Sequence, residues 1–376
     1  MNLRSQSENG RSRRRSLLRT LIVGVSTAVF LAACSSDLPQ SSLNPKSEEA
    51  RQIDALWILV LILASIILIL VMAALIFSLV RFRRRGDDQP EPKQVHGNTR
   101  LEIVWTIIPA VVLAAIAVPT VRTLFELNEE PTDALQVTVI GHQWWWEFRY
   151  PDITGPDGRE LVTANELHLP AGQTAYLTMT SADVIHSFWV PPLNGKRDLV
   201  PGRLTNLSMT PDADIAGTEI PGQCAEFCWL AHADMRIKVF VDSPDDFEAW
   251  AAQQLEPAEV PTDELRASGY ETFTQICTAC HTANVNDADA GAGQIGESLA
   301  PDLTHFGSRL TLGAGVAEND AAHLAQWIDN PESLKPMAPE LNEALTEPDP
   351  RVLGMPDYGL NAEQIAGLVA LLEGWK

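Results

Sequence analysis

PGQCAEFCWLAHADMRIKVFV, residues 221–241, crowds two thiols, an imidazole and a thioether into twelve residues: Cys224, Cys228, His232 and Met235, with Glu226 between the thiols. Ligands this soft at this density suit a soft metal. The spacing Cys-x3-Cys-x3-His-x2-Met is wider than the Cys-x2-Cys of a zinc-ribbon knuckle. A second imidazole lies upstream at His186, in SADVIHSFWVP. After the cluster, Met235, Ile237, Val239 and Val241 alternate with Arg236, Lys238 and Asp242, the period of a strand with one buried face. Met235 then sits at the mouth of that strand, and the cluster reads as a loop that delivers ligands to the rim of a β-sandwich.

Upstream, the same grammar runs back to Leu135. Leu135-Val137-Val139, Ala175-Leu177-Met179 and Leu207-Met209 alternate, and Pro151, PDG at 156–158, PAG at 170–172 and PG at 201–202 punctuate them. Short strands at this spacing predict an all-β sandwich or barrel over 131–245.

Before it stand two uncharged runs, 55–80 and 103–121, of 26 and 19 residues. At about 1.5 Å per residue both reach across a hydrocarbon core of about 30 Å. Pro109 and Pro119 in the second run are tolerable where a neighbouring helix takes up the freed carbonyls. Between the runs, RFRRR at 81–85 begins a stretch to Arg100 with six Lys/Arg, which places that loop on the cytoplasmic side. Residues 51–130 thus read as a transmembrane hairpin with both ends outside.

The first 33 residues hold six Arg and one Glu, then an apolar run ending in LAAC. They read as an export signal, 1–33, with a faint twin-arginine likeness at Ser12-Arg13-Arg14. LAAC resembles a bacterial lipobox, with Cys34 as the lipidated residue; an ordinary signal with a chance cysteine is the alternative. Residues 34–50 read as a linker.

Beyond the sandwich, the acidic, Ala/Pro-rich stretch 246–261 reads as another linker, and 262–376 turns helical. Leu265, Gly269, Phe273 and Ile276 share one helical face directly before CTACH at 277–281. Leu324, Trp327 and Ile328 mark a helix opening near Asp320. Ile365, Leu368, Val369 and Leu372 mark a last helix, with Asn361 as N-cap and Gln364 three residues on.

The net charge is −22, and without the first 33 residues the chain holds 21 basic against 48 acidic groups. That excludes a nucleic-acid binder, which needs a basic face. It suits a basic protein partner, or serves solubility alone. Each of the five cysteines has a chemical use, so no disulfide framework is required.

Two neighbouring thiolates can bridge two copper ions, with an imidazole at each end and weak donors from Met235 and a carbonyl near Glu226. A structural zinc site or a Cys224–Cys228 disulfide are the alternatives. CTACH is a haem c attachment pattern: Cys277 and Cys280 add to the vinyl groups and His281 ligates the iron. A redox or zinc Cys-x2-Cys is the alternative. For the sixth ligand, Met355, in a loop before the last helix, is favoured over Met337; His305 or His323 would give bis-His ligation.

PGQCAEFCWLAHADM, DVIHSFWVP, VPGRL, GHQWWW and HGNTRLEIVWTIIP together resemble subunit II of the haem–copper cytochrome c oxidases, over about residues 50–245. The C-terminal part resembles the subfamily with a fused cytochrome c, in which class I cytochromes place the axial Met where Met355 stands. The resemblance implies a multi-domain membrane protein: a two-helix transmembrane hairpin, a cupredoxin-like all-β domain holding a dinuclear copper (CuA) centre, and an all-α cytochrome c domain. It implies His186, Cys224, Cys228, His232, Met235 and the Glu226 carbonyl as copper ligands, with the Glu226 carboxylate on a Mg2+ shared with subunit I.

It further implies Trp144 as the point where electrons enter, Asp183 on a cytochrome c docking surface and Glu102 at the mouth of a proton path. For these three, core packing, a solvated carboxylate and a snorkelling membrane-edge Glu are the plain alternatives. The partners implied are subunits I and III and cytochrome c, and the location is a bacterial inner membrane, soluble domains outside. The reading is the electron-input subunit of a respiratory oxidase that reduces oxygen in another subunit and pumps protons; a CuA subunit of a nitric or nitrous oxide reductase is the alternative.

Overall fold

The structure is a computed structural model and describes residues 38–83, 97–287, 291–337 and 354–376, with Gly24 and Gln94. The export signal, Cys34 and most of the basic loop lie outside the described residues.

Helices α1 (Glu48–Arg81) and α2 (Thr99–Leu127) are apolar on all sides and long enough to cross a membrane, about 51 and 44 Å at the standard rise. Ser47 caps α1 by accepting from the Ala50 N–H. Where a linker was expected over 34–50, the chain is tied to the β-domain. The Ser47 hydroxyl donates to the Leu193 carbonyl, the Glu49 carboxylate accepts from Thr210 N–H and hydroxyl at 3.0 and 2.7 Å, and Arg51 pairs with Asp212 at 2.6 Å. The membrane helix therefore grows directly out of the sandwich.

The sandwich holds β1 (Leu135–His142), β2 (Trp145–Thr154), β3 (Glu160–Ala164), β4 (Glu166–Pro170), β5 (Ala175–Ser181), β6 (His186–Trp189), β7 (Arg197–Leu199), β8 (Thr205–Met209), β9 (Thr218–Cys224) and β10 (Arg236–Asp242). One sheet runs β3-β2-β1-β5-β8 and the other β4-β10-β9-β6-β7. The β1–β5 and β4–β10 pairs are parallel and the rest antiparallel. Period-two alternation aims Leu135, Val137 and Val139 inward, against a core of Trp146, Phe148, Tyr150, Phe188, Leu167 and Leu177.

Residues read as a linker over 246–261 include a helix, α3 (Pro244–Leu255), capped by Ser243 with Pro244 in its first turn. Its Phe247, Trp250 and Ala251 fall at helical spacing, and Trp250 packs its ring 5.6 Å from that of Tyr150. The acidic composition, concentrated in the solvent-facing first turn, masks this stripe.

The C-terminal part holds α4 (Glu264–Ile276), α5 (Ala321–Asp329) and α6 (Ala362–Gly374) around its own core of Phe273, Leu303, Phe306, Leu324, Leu368 and Leu371. Helices α4 and α6 cross at Gly269 and Gly367, where a β-carbon on Gly269 would strike the Gly367 carbonyl. Asn361 and Gln364 form the capping box read from the sequence. The helical pattern gave no sign of a small sheet of β11 (Ala258–Glu259), β12 (Ala283–Asp287) and β13 (Gly291–Ile295), nor of the hairpin β14 (Thr311–Leu312) and β15 (Ala317–Glu318). These strands are short and rich in Gly, Asn and Ala, so backbone pairing rather than apolar alternation defines them.

Candidate functional site

Register builds the metal cluster. In β6, Phe188 lies opposite Cys224, the last residue of β9, which brings His186 beside that thiol. Cys224 N–H donates to Met235 O at 2.9 Å and Ala225 N–H to Ser187 O at 2.8 Å, closing the loop from both sides. The result is one group of donors, with His186, Cys224, Cys228 and Met235 buried and His232 half-buried. Cys224 Sγ lies 3.8 Å from Cys228 Sγ, 4.0 Å from His186 Nδ1 and 3.2 Å from the Glu226 carbonyl oxygen. Cys228 Sγ lies 3.6 Å from His232 Nδ1 and 3.8 Å from Met235 Sδ.

The thiols are free, far beyond the roughly 2.05 Å of a disulfide, yet close enough for both to reach one ion at the usual metal–thiolate length of about 2.3 Å. His186, Cys224 and Cys228 are all buried, with ligand atoms within 4.8 Å of one another. The donor set is soft throughout, two sulfurs stand between two imidazoles, and a copper pair fits it. Without metal, the Cys228 thiol donating to Cys224 outweighs burial and holds the Cys224 thiol well below its ordinary value. The Cys224 thiolate and burial in turn hold the proton on Cys228, pushing it well above the ordinary thiol value.

Asp183, expected on a docking surface, turns its carboxylate inward to the metal cluster. Its side chain is 6% exposed, and one carboxylate oxygen pairs with His186 Nε2 at 2.8 Å while the other accepts from Gln143 N–H at 2.7 Å. The turn into β6 folds its carboxylate back onto the His186 imidazole. Burial pushes its carboxyl up, but His186 and the Val184 and Gln143 N–H groups outweigh that and hold it below the usual range. Asp183 thus orients a candidate ligand.

The three indoles divide. Trp146 is fully buried and meets the rings of His186 and Phe188 edge-on at 6.0 and 5.6 Å. Trp145 stacks on His142 at 4.1 Å. Trp144, also buried, donates its indole N–H to the Cys228 carbonyl at 2.7 Å.

Trp144 and Trp145 line a largely apolar cavity of about 150 Å³ that Cys277, Cys280 and His281 also line. His281 Nδ1–H donates to the Pro301 carbonyl at 2.7 Å, which fixes the ring and leaves Nε2 for a metal. Burial lowers its pKa, outweighing the Pro301 bond, so the ring stays neutral as a ligand must be. Met337 and Met355 both border the cavity. Met355 also borders the adjoining apolar space between α4, α5 and α6, whereas the Met337 sulfur accepts the Met355 N–H at 3.1 Å. His305 and His323 border neither space: His305 Nε2 donates to Glu256 O at 2.7 Å, and His323 pairs with Asp320 in the first turn of α5.

Arg309, also on the wall, is half-buried; its Nη2 donates to the Asp302 carbonyl, while its Nε has no partner and no carboxylate pairs with it among the described residues. Burial lowers its pKa against the pull of Asp302 and Glu166. Two thiols, a fixed imidazole, a thioether and an unpaired cation for a carboxylate suit a covalently held haem.

Two residues that sequence reasoning missed, Lys335 and Glu166, join the domains. Lys335 Nζ donates to Trp144 O at 2.6 Å and Gly313 O at 2.9 Å. Burial pulls its pKa down to about 7 against the opposite pull of Asp234 and Cys228. Glu166 Oε1 accepts from Leu310 N–H, Thr311 N–H and the Thr311 hydroxyl at 3.0, 2.8 and 2.8 Å. Neither belongs to a motif, so only the packed chain brings them to notice. At the other end, exposed Glu102 opens α2 and accepts the Asn98 N–H at 3.3 Å, a capping contact. Glu226 is exposed, beside the exposed Phe227, Trp229 and Leu230.

Family models match the chain in three consecutive pieces: cytochrome c oxidase subunit II, transmembrane domain, over residues 38–123; its periplasmic domain over 135–242; and cytochrome c over 267–376. Cytochrome c oxidase subunit 2 of Alkalihalophilus pseudofirmus is 35% identical over 327 residues, covering 84% of this chain and 90% of that one. The protein of the same name in Bacillus subtilis is 33% identical over 332 residues, covering 85% and 90%. Among solved structures, the periplasmic domain of subunit II of the cytochrome oxidase of Bradyrhizobium japonicum is 29% identical, covering 33% of this chain and 95% of that one, with a TM-score of 0.30.

Proposed function

Because the chain belongs to the cytochrome c oxidase subunit II family and carries a C-terminal cytochrome c domain, we propose that it passes electrons from a cytochrome c, through its own covalent haem and a dinuclear copper centre, to subunit I of a respiratory oxidase. It is the electron-input subunit of an oxidoreductase complex. Oxygen is reduced and protons are pumped in the assembly with subunits I and III. The soluble domains face the outside of a bacterial inner membrane.

The observation that carries this reading is the placement of Trp144, whose indole walls the His281 cavity and bonds to the Cys228 carbonyl. When bound, haem and copper pair each supply a one-electron couple. The protein's part is to hold them. Cys277 and Cys280 would tether the haem, His281 and Met355 would be its iron ligands, and Arg309 would supply a charge for a propionate. Cys224, Cys228, His186, His232, Met235 and the Glu226 carbonyl would hold the copper, with both thiols, His186 and Met235 buried so that few waters rearrange there as the charge changes.

The ligand loop supports docking on subunit I: its Phe227, Trp229 and Leu230 are exposed. There the Glu226 carboxylate is available for a shared Mg2+, and Glu102 stands at the membrane edge for a proton path. A role on a nitric or nitrous oxide reductase is disfavoured by the family hairpin, 38–123, with its HGNTRLEIVWTIIP run.

The test removes the haem alone. A chain with Cys277→Ala and Cys280→Ala, carrying copper and assembled with the oxidase, should lose most of its turnover with reduced cytochrome c. Unchanged turnover would contradict the serial order, since the cytochrome domain covers Trp144.

A further inference from the structure

We infer that Lys335 is a positioning residue for electron transfer between the two cofactor sites: it clamps the cytochrome domain to the main chain of Trp144. The inference rests on the function proposed above and adds a residue that no ligand set or motif contains.

Lys335 is 3% exposed, and its ammonium has one carbonyl from each domain, Trp144 O at 2.6 Å and Gly313 O at 2.9 Å. No carboxylate among the described residues lies within ion-pair distance of it. A buried ammonium with no counter-ion is costly, and an aliphatic side chain would fill the space without that cost. What the ammonium adds is a directed bond across the junction.

The second carbonyl extends the clamp. Gly313 opens the turn Gly313-Ala314-Gly315 of the β14–β15 hairpin, and the far end of that turn grips the β-domain again. Arg236 N–H donates to Ala314 O at 3.1 Å and Arg236 Nη1–H to Gly315 O at 3.3 Å. Gly315 has φ +81°, and a β-carbon there would press within 3.2 Å of Arg236 Cβ, so the close approach needs glycine. Arg236 directly follows Met235. One short turn of the cytochrome domain is therefore held at Trp144 by Lys335 and at Arg236 beside Met235, on two sides of the metal cluster. Lys335 and Gly313 themselves line the cavity, and tunnelling falls exponentially with the gap, so a support that fixes this wall on Trp144 sets the rate through position rather than ligation.

Lys335→Met, in the full chain assembled with the oxidase, removes the ammonium and keeps the stem. With haem and copper contents and spectra unchanged, flash-initiated transfer from haem to copper should slow at least tenfold. In the detergent-solubilised chain without cofactors, amide hydrogen exchange over residues 141–146 and 311–316 should quicken. Transfer within twofold of the unsubstituted chain, or unchanged exchange in both segments, overturns the inference. Should Lys335→Met fail to load, Gly315→Ala displaces the same turn from Arg236 and is read by the same two criteria. Haem and copper content of the unsubstituted chain reports separately on the functional reading.

Discussion

The Trp144 indole N–H and the Cys228 carbonyl oxygen are 2.7 Å apart, and the Gln143 side-chain amide donates to the same oxygen at 3.0 Å. Cys228 is thus held from behind by the residues that wall the His281 cavity. Trp144→Phe should keep the packing and lose one hydrogen bond, about 1 kcal/mol of stability. It should slow haem-to-copper transfer at least tenfold at unchanged copper content, measured by flash-initiated kinetics. Equal rates would remove Trp144 from the path.

Asp183 fixes His186 from outside the donor set. Replacing such a partner typically weakens metal binding ten- to 100-fold. Asp183→Asn should lower copper affinity by about that factor in a chelator competition, with the β-sheet circular dichroism retained. Unchanged affinity would return Asp183 to a surface role.

The two methionines at the haem cavity separate by substitution. Met355→Ala should abolish the optical signature of Met–iron ligation and lower the haem potential, since a His/Met pair raises it. Met337→Ala should leave ligation intact. The reverse pattern, read by absorption spectroscopy of the reduced and oxidised protein, would exchange their roles.

Much of this site is legible in the chain because its donors lie close in sequence. Cys224, Cys228, His232 and Met235 fit one loop between two strands, and only His186 requires knowledge of the sheet. The Asp183 contact with His186 was not legible, because an acidic residue in a polar turn gives no sign of which way it points. The helix Pro244–Leu255 was hidden by its acidic first turn. Lys335 and Glu166 were beyond reach for a plainer reason: each meets partners more than 140 residues away, Trp144 and Thr311, and no local pattern encodes such a meeting.

Glu166 gathers three donors from the cytochrome domain onto one carboxylate oxygen. Glu166→Ala should remove all three bonds from these partly exposed donors, at about 0.5–1.5 kcal/mol each. Calorimetry of the full chain should show the cytochrome domain melting earlier and apart from the β-domain. A single transition at the original temperature would mean that this contact holds nothing.

Buried Glu147 couples the junction to acid. Burial pushes its carboxyl up, but His142 Nε2 at 3.1 Å and Arg149 more than reverse this, leaving it below the ordinary value of 4.5. A depressed folded pKa adds stability that is fully present above the unfolded pKa and is lost as pH falls through the folded one. Thermal midpoints should therefore drop steeply below about pH 4.5, and Glu147→Gln should flatten that limb. An identical acid limb in the variant would assign it to other groups.

The central claim is that the donors of the Cys224–Met235 loop, with His186, hold a copper pair in line with a covalent haem. Metal analysis of the purified full chain, matured in a host that attaches haem c, tests this most directly, combined with electron paramagnetic resonance. Two coppers and one haem per chain, with one unpaired electron shared equally by both coppers, are expected. One mononuclear copper, zinc in its place, or a Cys224–Cys228 disulfide in the metallated protein would contradict it.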